Sequence, residues 1–471
     1  MRGGESPTSS SIARSPLIQP VSADISALLA LHAAFPERYP ALFESAAAGN
    51  ASTRYDILFA HPQGQLSLRR GGTLSGRANA TETRFLTALD DWWRSERTPP
   101  YIDSPLPFTG GWLLYLGYEL AGETEPRLRL PLPAAGPIAS AIRIPAAIIH
   151  ERNSGNSWLV AEAAFEPLLA SMASDLANVP ALVPPEVPLV TGGVTEDEPD
   201  TFLRSVERAL EYIAAGDIYQ ANLSRSWQAT LTAGITPQHL YQRLRQTNPA
   251  PFSGIVRLEG ITIVSSSPER LVSVRDRHAS TRPIAGTRPR GQTEAADIDL
   301  ARELRAHPKE RAEHVMLIDL ERNDLGRICE AGTVKVDELM TIESYAHVHH
   351  IVSNVSGTLR TDATPGDVLR AVFPGGTITG CPKVRCMEII AELEGVARGA
   401  YTGSFGYLNR DGSMDTNILI RSLEVAGDRL TLRAGAGIVA DSVPERELAE
   451  TRAKARGVLR ALDSNPAGAS P

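Results

Sequence analysis

Residues 401–439 read YTGSFGYLNRDGSMDTNILIRSLEVAGDRLTLRAGAGIV. Short runs rich in β-branched and aromatic residues alternate with the breaks NRDG and AGDR. Asp411-Gly412 is a strong hairpin signal, because Asp-Gly accepts the positive φ angles of a type I′ turn. The stretch predicts an antiparallel meander, and Arg421 falls inside one of its apolar β-runs. Working outward, YQANLSRSWQATL (219–231), GIVRLEGITIVSSSP (254–268) and HHIVSNVSGTL (349–359) read as further strands. Helical spacing appears at Phe202, Val206, Leu210 and Ile213, with Gly216 as a C-cap. PKERAEHVMLIDLERNDLG (308–326) and the stretch from about Glu445 to Leu462 are also predicted helices. Strands and helices mix without βαβ alternation. The expectation is an α+β architecture with largely antiparallel sheets covered by helices.

The chain has 471 residues, a length that by itself suggests about three domains. Its 47 Lys+Arg against 55 Asp+Glu give a net charge of −8, which argues against a nucleic-acid binder. Composition is globular rather than disordered. No run of eighteen apolar residues predicts a membrane span. An acidic chain attracts an anionic ligand poorly in bulk, so any such attraction has to be local. Cys329, Cys381 and Cys386 show no C-x-x-C spacing and read as reduced thiols in a cytoplasmic protein. Residues 1–20 lack an apolar core and read as a frayed terminus, not a secretory signal. A Pro/Gly-rich stretch near 178–195 reads as a linker. It divides an N-terminal region, 21–178, from a motif-dense region, 196–463, followed by a flexible tail, 464–471.

Several residues carry chemistry. Glu310 and Glu313 lie one turn apart on one predicted helix; Glu447 and Glu450 repeat the spacing on the last. Carboxylate oxygens are natural Mg²⁺ ligands, and one Glu from each helix would suit it. The same spacing also describes two solvated helix faces. Lys454 follows Glu450 by four residues, the spacing of an ordinary surface pair. FPGGTITGCPK (373–383) fails the P-loop spacing and reads either as an anion-binding loop before a helix or as a tight turn. GAGIVADS (435–442) is a second glycine cluster whose N–H groups could face a carboxylate. His350 opens a strand and is either structural or catalytic. Arg421, among apolar residues, needs an acidic partner, which a substrate carboxylate could supply. Glu269, after a short apolar strand, is either a general acid with a raised pKa or the partner of Arg270.

Taken together, RPIAGTRPRG (282–291), RAEHVMLIDLERNDLGRI (311–328), HHIVSNVSGTL (349–359), FPGGTITGCPKVRCMEII (373–390), YTGSFGYL (401–408) and GAGIVADSVPERELAETRAKA (435–455) resemble the chorismate-utilising enzymes. The resemblance spans about 200–460. It implies one large α/β sandwich of two antiparallel sheets flanked by helices, with the N-terminal part woven in. It implies Mg²⁺ held by Glu313 and Glu450, with Glu447 near the metal's water shell. Glu269 matches the acid that helps the C4 hydroxyl leave, and His350 the histidine beside the ring. Tyr401 and Arg421 match the groups that hold a substrate carboxylate, aided by the backbone around Gly435 and Gly437. Thr377 matches a substrate contact, and Lys454 the lysine near the metal-bound carboxylate.

Within the family, isochorismate-forming members carry a Lys base where this chain has Asn222. That difference favours ammonia over water as nucleophile. The Y-Q-x-N-L string resembles the aminodeoxychorismate-forming branch, component I. Ala285 replaces the Lys found in many of that branch, as in anthranilate synthase component I, the alternative. ALFES (41–45) loosely resembles a tryptophan-holding site with Ser45 as its polar contact. The chain lacks the G-x-C-x-G nucleophile of a glutaminase, so a separate glutamine amidotransferase subunit is the expected ammonia source.

Overall fold

The computed structural model describes residues 15–46, 54–77, 82–101, 105–345 and 348–463. Among them, one antiparallel sheet has twelve strands and a second has eleven. Helices flank both. The expected α+β sandwich is therefore the observed architecture. No helix is long and apolar enough to cross a membrane among the described residues.

Local signals account for many elements. The Asp411-Gly412 turn, with Gly412 at φ +90°, joins Ser404–Asn409 to Met414–Asn417 in register Gly406↔Thr416. Phe252–Leu258 and Ile261–Ser267 form another hairpin. The helix Pro199–Ala214 buries Phe202, Val206 and Ala209, and Pro308–Gly326 and Pro444–Leu459 form as expected.

The meander, however, is divided between the sheets. Ser404–Asn409 and Met414–Asn417 belong to the eleven-stranded sheet; Ser422–Ala426 and Arg429–Ile438 belong to the twelve-stranded one. The chain crosses from sheet to sheet between Asn417 and Ser422. Another crossing, in the opposite direction, lies between Ile261–Ser267 and Arg270–Arg275. The two crossings run side by side. Ser266 N–H donates to the Arg421 carbonyl at 3.2 Å, and Ile418 N–H to the Glu269 carbonyl at 3.0 Å. The Ser267 hydroxyl donates to the Ile418 carbonyl at 2.5 Å.

The N-terminal region contributes strands inside both sheets. Ala41–Glu44 pairs with Phe252–Leu258, and Gly111–Leu116 with Ser404–Asn409. Between the sheets, Phe43 stacks on Phe405 at 4.5 Å in a core that also contains Phe59, Phe108, Leu113 and Ile263. Two expectations need correction. Leu17–Val21, placed largely in the frayed terminus, is an edge strand on Ser157–Ala161. Val190–Glu196, all but its last residue in the expected linker, is an edge strand on Gln220–Leu231 with an irregular register. Edge positions tolerate Pro and Gly that a central strand excludes. Residues 1–14 and the tail 464–471 lie outside the described residues.

Beneath the ladder between Gln220–Leu231 and Arg429–Ile438 lies a buried charge cluster. Glu394, at the end of helix Lys383–Glu394, pairs with Arg398 at 2.6 Å and Arg433 at 3.0 Å. It also accepts from the Ser224 N–H and hydroxyl, each at 2.8 Å. Those cations and donors hold its carboxyl below the usual range against the opposing effect of burial. Breaking a buried pair leaves an uncompensated charge at a cost of about 3–5 kcal/mol. Glu394→Ala should therefore lower stability by about that amount, read as a shifted urea midpoint; a loss within the range of a surface substitution would refute the cluster's structural role.

Candidate active site

The two crossings present their middle residues to a common space. Pro268 follows the strand Ile261–Ser267, and the residues after it face opposite ways. Arg270 turns to Asp415, which it holds by two hydrogen bonds of 2.9 Å. Glu269 turns the other way, so it is not the partner of Arg270. Its carboxylate is buried and accepts from the Thr377 hydroxyl at 2.8 Å. Burial pushes Glu269 up to about 7, against the Thr377 hydrogen bond and the nearby cations Arg421 and Lys454.

Arg421 occupies the second crossing at φ +52°, a left-handed conformation. It precedes the strand Ser422–Ala426 rather than lying in a β-run, which corrects the expectation from its apolar neighbours. No hydrogen bond or ion pair engages its guanidinium among the described residues. Burial lowers its pKa, and Glu269 opposes that shift. A charged fork without a carboxylate partner suits a bidentate carboxylate ligand.

His350 lies on Val348–Thr358, beside Ile284–Pro289. Its Nδ1 is 3.0 Å from the Thr287 hydroxyl and 3.3 Å from the Gly286 carbonyl. A carbonyl only accepts, so a proton on Nδ1 satisfies that contact and leaves Nε2 as the acceptor nitrogen. Burial, reinforced by Arg421, pushes His350 down to about 4, so the ring is neutral near pH 7. Ala285 is buried on the adjoining strand opposite Ile351.

Asn222, Tyr401, Gly435, Gly437 and Lys454 form another wall. The Asn222 amide donates to the Ile378 carbonyl at 3.1 Å and reaches the Tyr401 hydroxyl at 3.5 Å. Gly435 and Gly437 are not in a loop; they lie in Arg429–Ile438, paired with Ser224 and Asn222. A Cβ on Gly435 would fall 2.6 Å from the Tyr401 hydroxyl, so only glycine admits that ring. At Gly437 the same space holds the Gln220 amide. Lys454 donates to the Gly435 carbonyl at 3.0 Å and pairs with Glu450 at 2.7 Å.

The FPGGTITGCPK segment is a short 3₁₀ turn, Gly376–Ile378, and a two-residue strand before helix Lys383–Glu394. Lys383 is bound to buried Asp324 at 2.5 Å, so it is committed within the fold. The segment's use is to place Thr377 on Glu269.

Glu313 is half-buried on Pro308–Gly326; Glu447 is buried and Glu450 half-exposed on the last helix. All three offer carboxylate oxygen, the donor chemistry of a hard cation that also takes water and substrate oxygens. Among the described residues, no three His, Cys, Asp or Glu side chains converge into a closed cage. Ser45 stands apart. Its N–H donates to Asp56 at 2.9 Å and its hydroxyl to the Tyr55 carbonyl at 3.1 Å. It lines a cavity of about 580 Å³ with Phe43, Phe252, Arg270, Tyr407 and Asp415.

The Glu394–Arg398–Arg433 cluster escaped sequence reading. Arg398 donates to the Asn222 carbonyl at 2.6 Å and stacks over Tyr401 at 5.4 Å, so it braces two residues of the site. Its one signal was the i, i+4 spacing of Glu394 and Arg398, which surface pairs share.

Residues 40–460 match the family model described as chorismate binding enzyme. An anthranilate synthase component I-like protein of Synechocystis sp. is 45 % identical over 86 % of this chain and 84 % of its own. The aminodeoxychorismate synthase component 1 of Bacillus subtilis is 40 % identical over 80 % and 82 %. The crystal structure of anthranilate synthase component I from Streptococcus pneumoniae superposes with a TM-score of 0.77 at 31 % identity, covering 87 % of this chain and 93 % of that one.

The raised pKa of Glu269 has a consequence for stability. The fold favours the protonated form, so the native state binds more protons than the unfolded chain between the usual value of 4.5 and about 7. Its contribution is fully present below pH 4.5 and is lost as pH rises through 7. Relative to Glu269→Gln, the wild type should lose about 3 kcal/mol across that window. Urea unfolding at pH 4.5 and 8 measures this; parallel curves for both proteins would refute it.

Proposed function

The chain belongs to the chorismate binding enzyme family, and from that premise we propose that it is a Mg²⁺-dependent aminodeoxychorismate synthase, component I. It combines chorismate with ammonia from a separate glutamine amidotransferase subunit to make 4-amino-4-deoxychorismate, the precursor of p-aminobenzoate and folate. The observation that carries the reading is the pairing of a buried acid, Glu269 at about 7, with the unengaged cation of Arg421.

Chorismate is a dianion with a hydroxyl at C4. Arg421 and Tyr401 take one carboxylate, with the Gly435 and Gly437 backbone alongside. Glu313 and Glu450 would hold Mg²⁺, with Glu447 near its water shell; the ion, when bound, supplies positive charge to the ring carboxylate. Glu269, half-protonated near neutral pH, gives its proton to the departing C4 oxygen, which leaves as water. Thr377 orients that carboxyl. Ammonia adds at C2 as the C4 bond breaks; a second ammonia then adds at C4 and expels the C2 amine. Ammonia needs no strong base, which agrees with neutral Asn222 where water-activating members carry Lys. His350, neutral beside the ring, is a polar contact rather than a charge.

A second reading is anthranilate synthase component I. Buried Ala285 favours it, because a methyl group cannot form the covalent C2 intermediate that a Lys can. The cavity beside Ser45 supports a tryptophan-like amino-acid site separate from the chemistry.

Incubation with chorismate, Mg²⁺ and ammonium, followed by product separation, tests the proposal. It expects 4-amino-4-deoxychorismate, which an added pyruvate-eliminating lyase converts to p-aminobenzoate. Anthranilate with pyruvate would establish the second reading instead. Glu269→Gln should lower kcat by about 10²–10⁴-fold, and Glu313→Gln or Glu450→Gln should abolish Mg²⁺-dependent turnover. Asn222→Lys should admit some water-derived isochorismate; its complete absence would count against the role given to Asn222.

A further inference from the structure

The turn before Tyr401 is gripped by two carboxylates from outside it. Glu119, in the 3₁₀ turn Tyr118–Leu120 of the N-terminal region, accepts from the N–H of Arg398 at 2.8 Å and of Gly399 at 3.2 Å. Glu424, on Ser422–Ala426, accepts from the next N–H, that of Ala400, at 3.1 Å. Three successive backbone donors thus point at two acidic groups, the geometry of an anion-binding nest. Gly399 makes the nest possible. Its φ is +58°, and a Cβ there would lie 2.8 Å from the Glu424 carboxylate.

The turn's other bonds lead straight into the site. Tyr118 N–H donates to the Gly399 carbonyl at 2.9 Å, closing the grip from the Glu119 side. Thr402 N–H donates to the Leu419 carbonyl and Leu419 N–H to the Gly403 carbonyl, both at 2.8 Å. Leu419 lies on the crossing that bears Arg421. Glu119 itself is buried, and its Oε2 has no hydrogen-bond partner. Such a group is costly unless it does something. Burial pushes Glu119 up to about 7 against the backbone N–H groups of Glu119 itself, Gly399 and Arg398, and Glu424 adds to the rise. A protonated carboxyl still accepts through its carbonyl oxygen, so the grip does not depend on ionisation.

We propose that Glu119 and Glu424 are positioning residues: they hold the 398–400 backbone so that Tyr401, and through Leu419 the Arg421 crossing, meet the substrate carboxylate. The proposal rests on the chorismate-aminating reading for what Tyr401 and Arg421 bind, and it adds an N-terminal residue to the machinery of the site.

Steady-state kinetics with chorismate and ammonium compare wild type with Glu119→Ala, Glu119→Gln, Tyr401→Phe and the Glu119→Ala/Tyr401→Phe double variant. Glu119→Ala should raise the chorismate KM about tenfold or more. Glu119→Gln, which keeps an acceptor oxygen, should restore KM to near the wild-type value. The double variant should show little more than the larger single effect, since both changes act on one contact. An unchanged KM, or effects that multiply in the double variant, would overturn the proposal. Where Glu119→Ala does not fold, Gly399→Ala, which drives a Cβ into Glu424, replaces it in the same cycle. Amide exchange at 398–400 reads the grip without chorismate: it should quicken in Glu119→Ala, or in Gly399→Ala where that replaces it, and stay slow in Glu119→Gln. Equal exchange in the wild type, in Glu119→Ala or its replacement, and in Glu119→Gln sinks the proposal, whereas failure of the wild type to turn over chorismate sinks only the functional reading.

Discussion

Two neighbouring passages of chain between the sheets, tied together by backbone hydrogen bonds, are the constraint on which the site depends. Ser266 is bonded to Arg421, Ser267 and Glu269 to Ile418. A strand that leaves one sheet for another must give up its ladder partners at the crossing. Here each crossing satisfies the other. The arrangement fixes an acid on one passage and a cation on the other, at a place where neither belongs to a regular ladder. Alternation then does the rest, turning Glu269 inward and Arg270 outward to Asp415 and the cavity that Ser45 also lines.

Charge is handled at two depths. The chain is acidic overall, yet the Glu269 cluster is rimmed by Arg421 and Lys454. One layer down, Glu394 is surrounded by Arg398 and Arg433 and holds its charge despite full burial. That deeper cluster braces the Asn222 backbone and the Tyr401 ring. The Arg421 guanidinium has no ion-pair partner among the described residues, whereas the charges in the layer beneath are paired. The difference separates a cation that is open to a ligand from charges that hold the frame. It also resolves the difficulty that a net charge of −8 raises for an anionic substrate, because field strength at the site is set by the nearest few groups.

The hairpin at Asp411-Gly412, the helix Pro199–Ala214 and the last helix were legible because each rests on residues close in sequence. The family resemblance carried Glu269, Thr377, Arg421, Tyr401 and Lys454 together, though Glu269 and Arg421 lie outside the strings that show it, and the Thr377–Glu269 and Lys454–Gly435 hydrogen bonds join some of them. What periodicity could not convey was which sheet a strand joins. The meander reads as continuous, and nothing local in NILIRS announces a change of sheet or a left-handed Arg421. The segment that ends at Lys383 left an anion-binding loop open as one reading because Asp324, the lysine's partner, lies 59 residues away. Val190–Glu196 read as linker because Pro and Gly signal the same thing on an edge strand as in a loop. Glu119 offered no signal at all, since its partners are backbone amides of a distant turn.

The pairing of Gly111–Leu116 with Ser404–Asn409 has a bearing on how the molecule comes into being. During synthesis at roughly 5–20 residues per second, the earlier strand waits on the order of 15–60 s for its partner to be made. Throughout that interval a fully apolar strand, GWLLYL, lacks one of its two neighbours. Ribosome-bound chains therefore expose a sticky edge that the finished protein never shows. The turn bearing Glu119 follows directly on that strand, so the site's last wall closes only when the C-terminal third arrives.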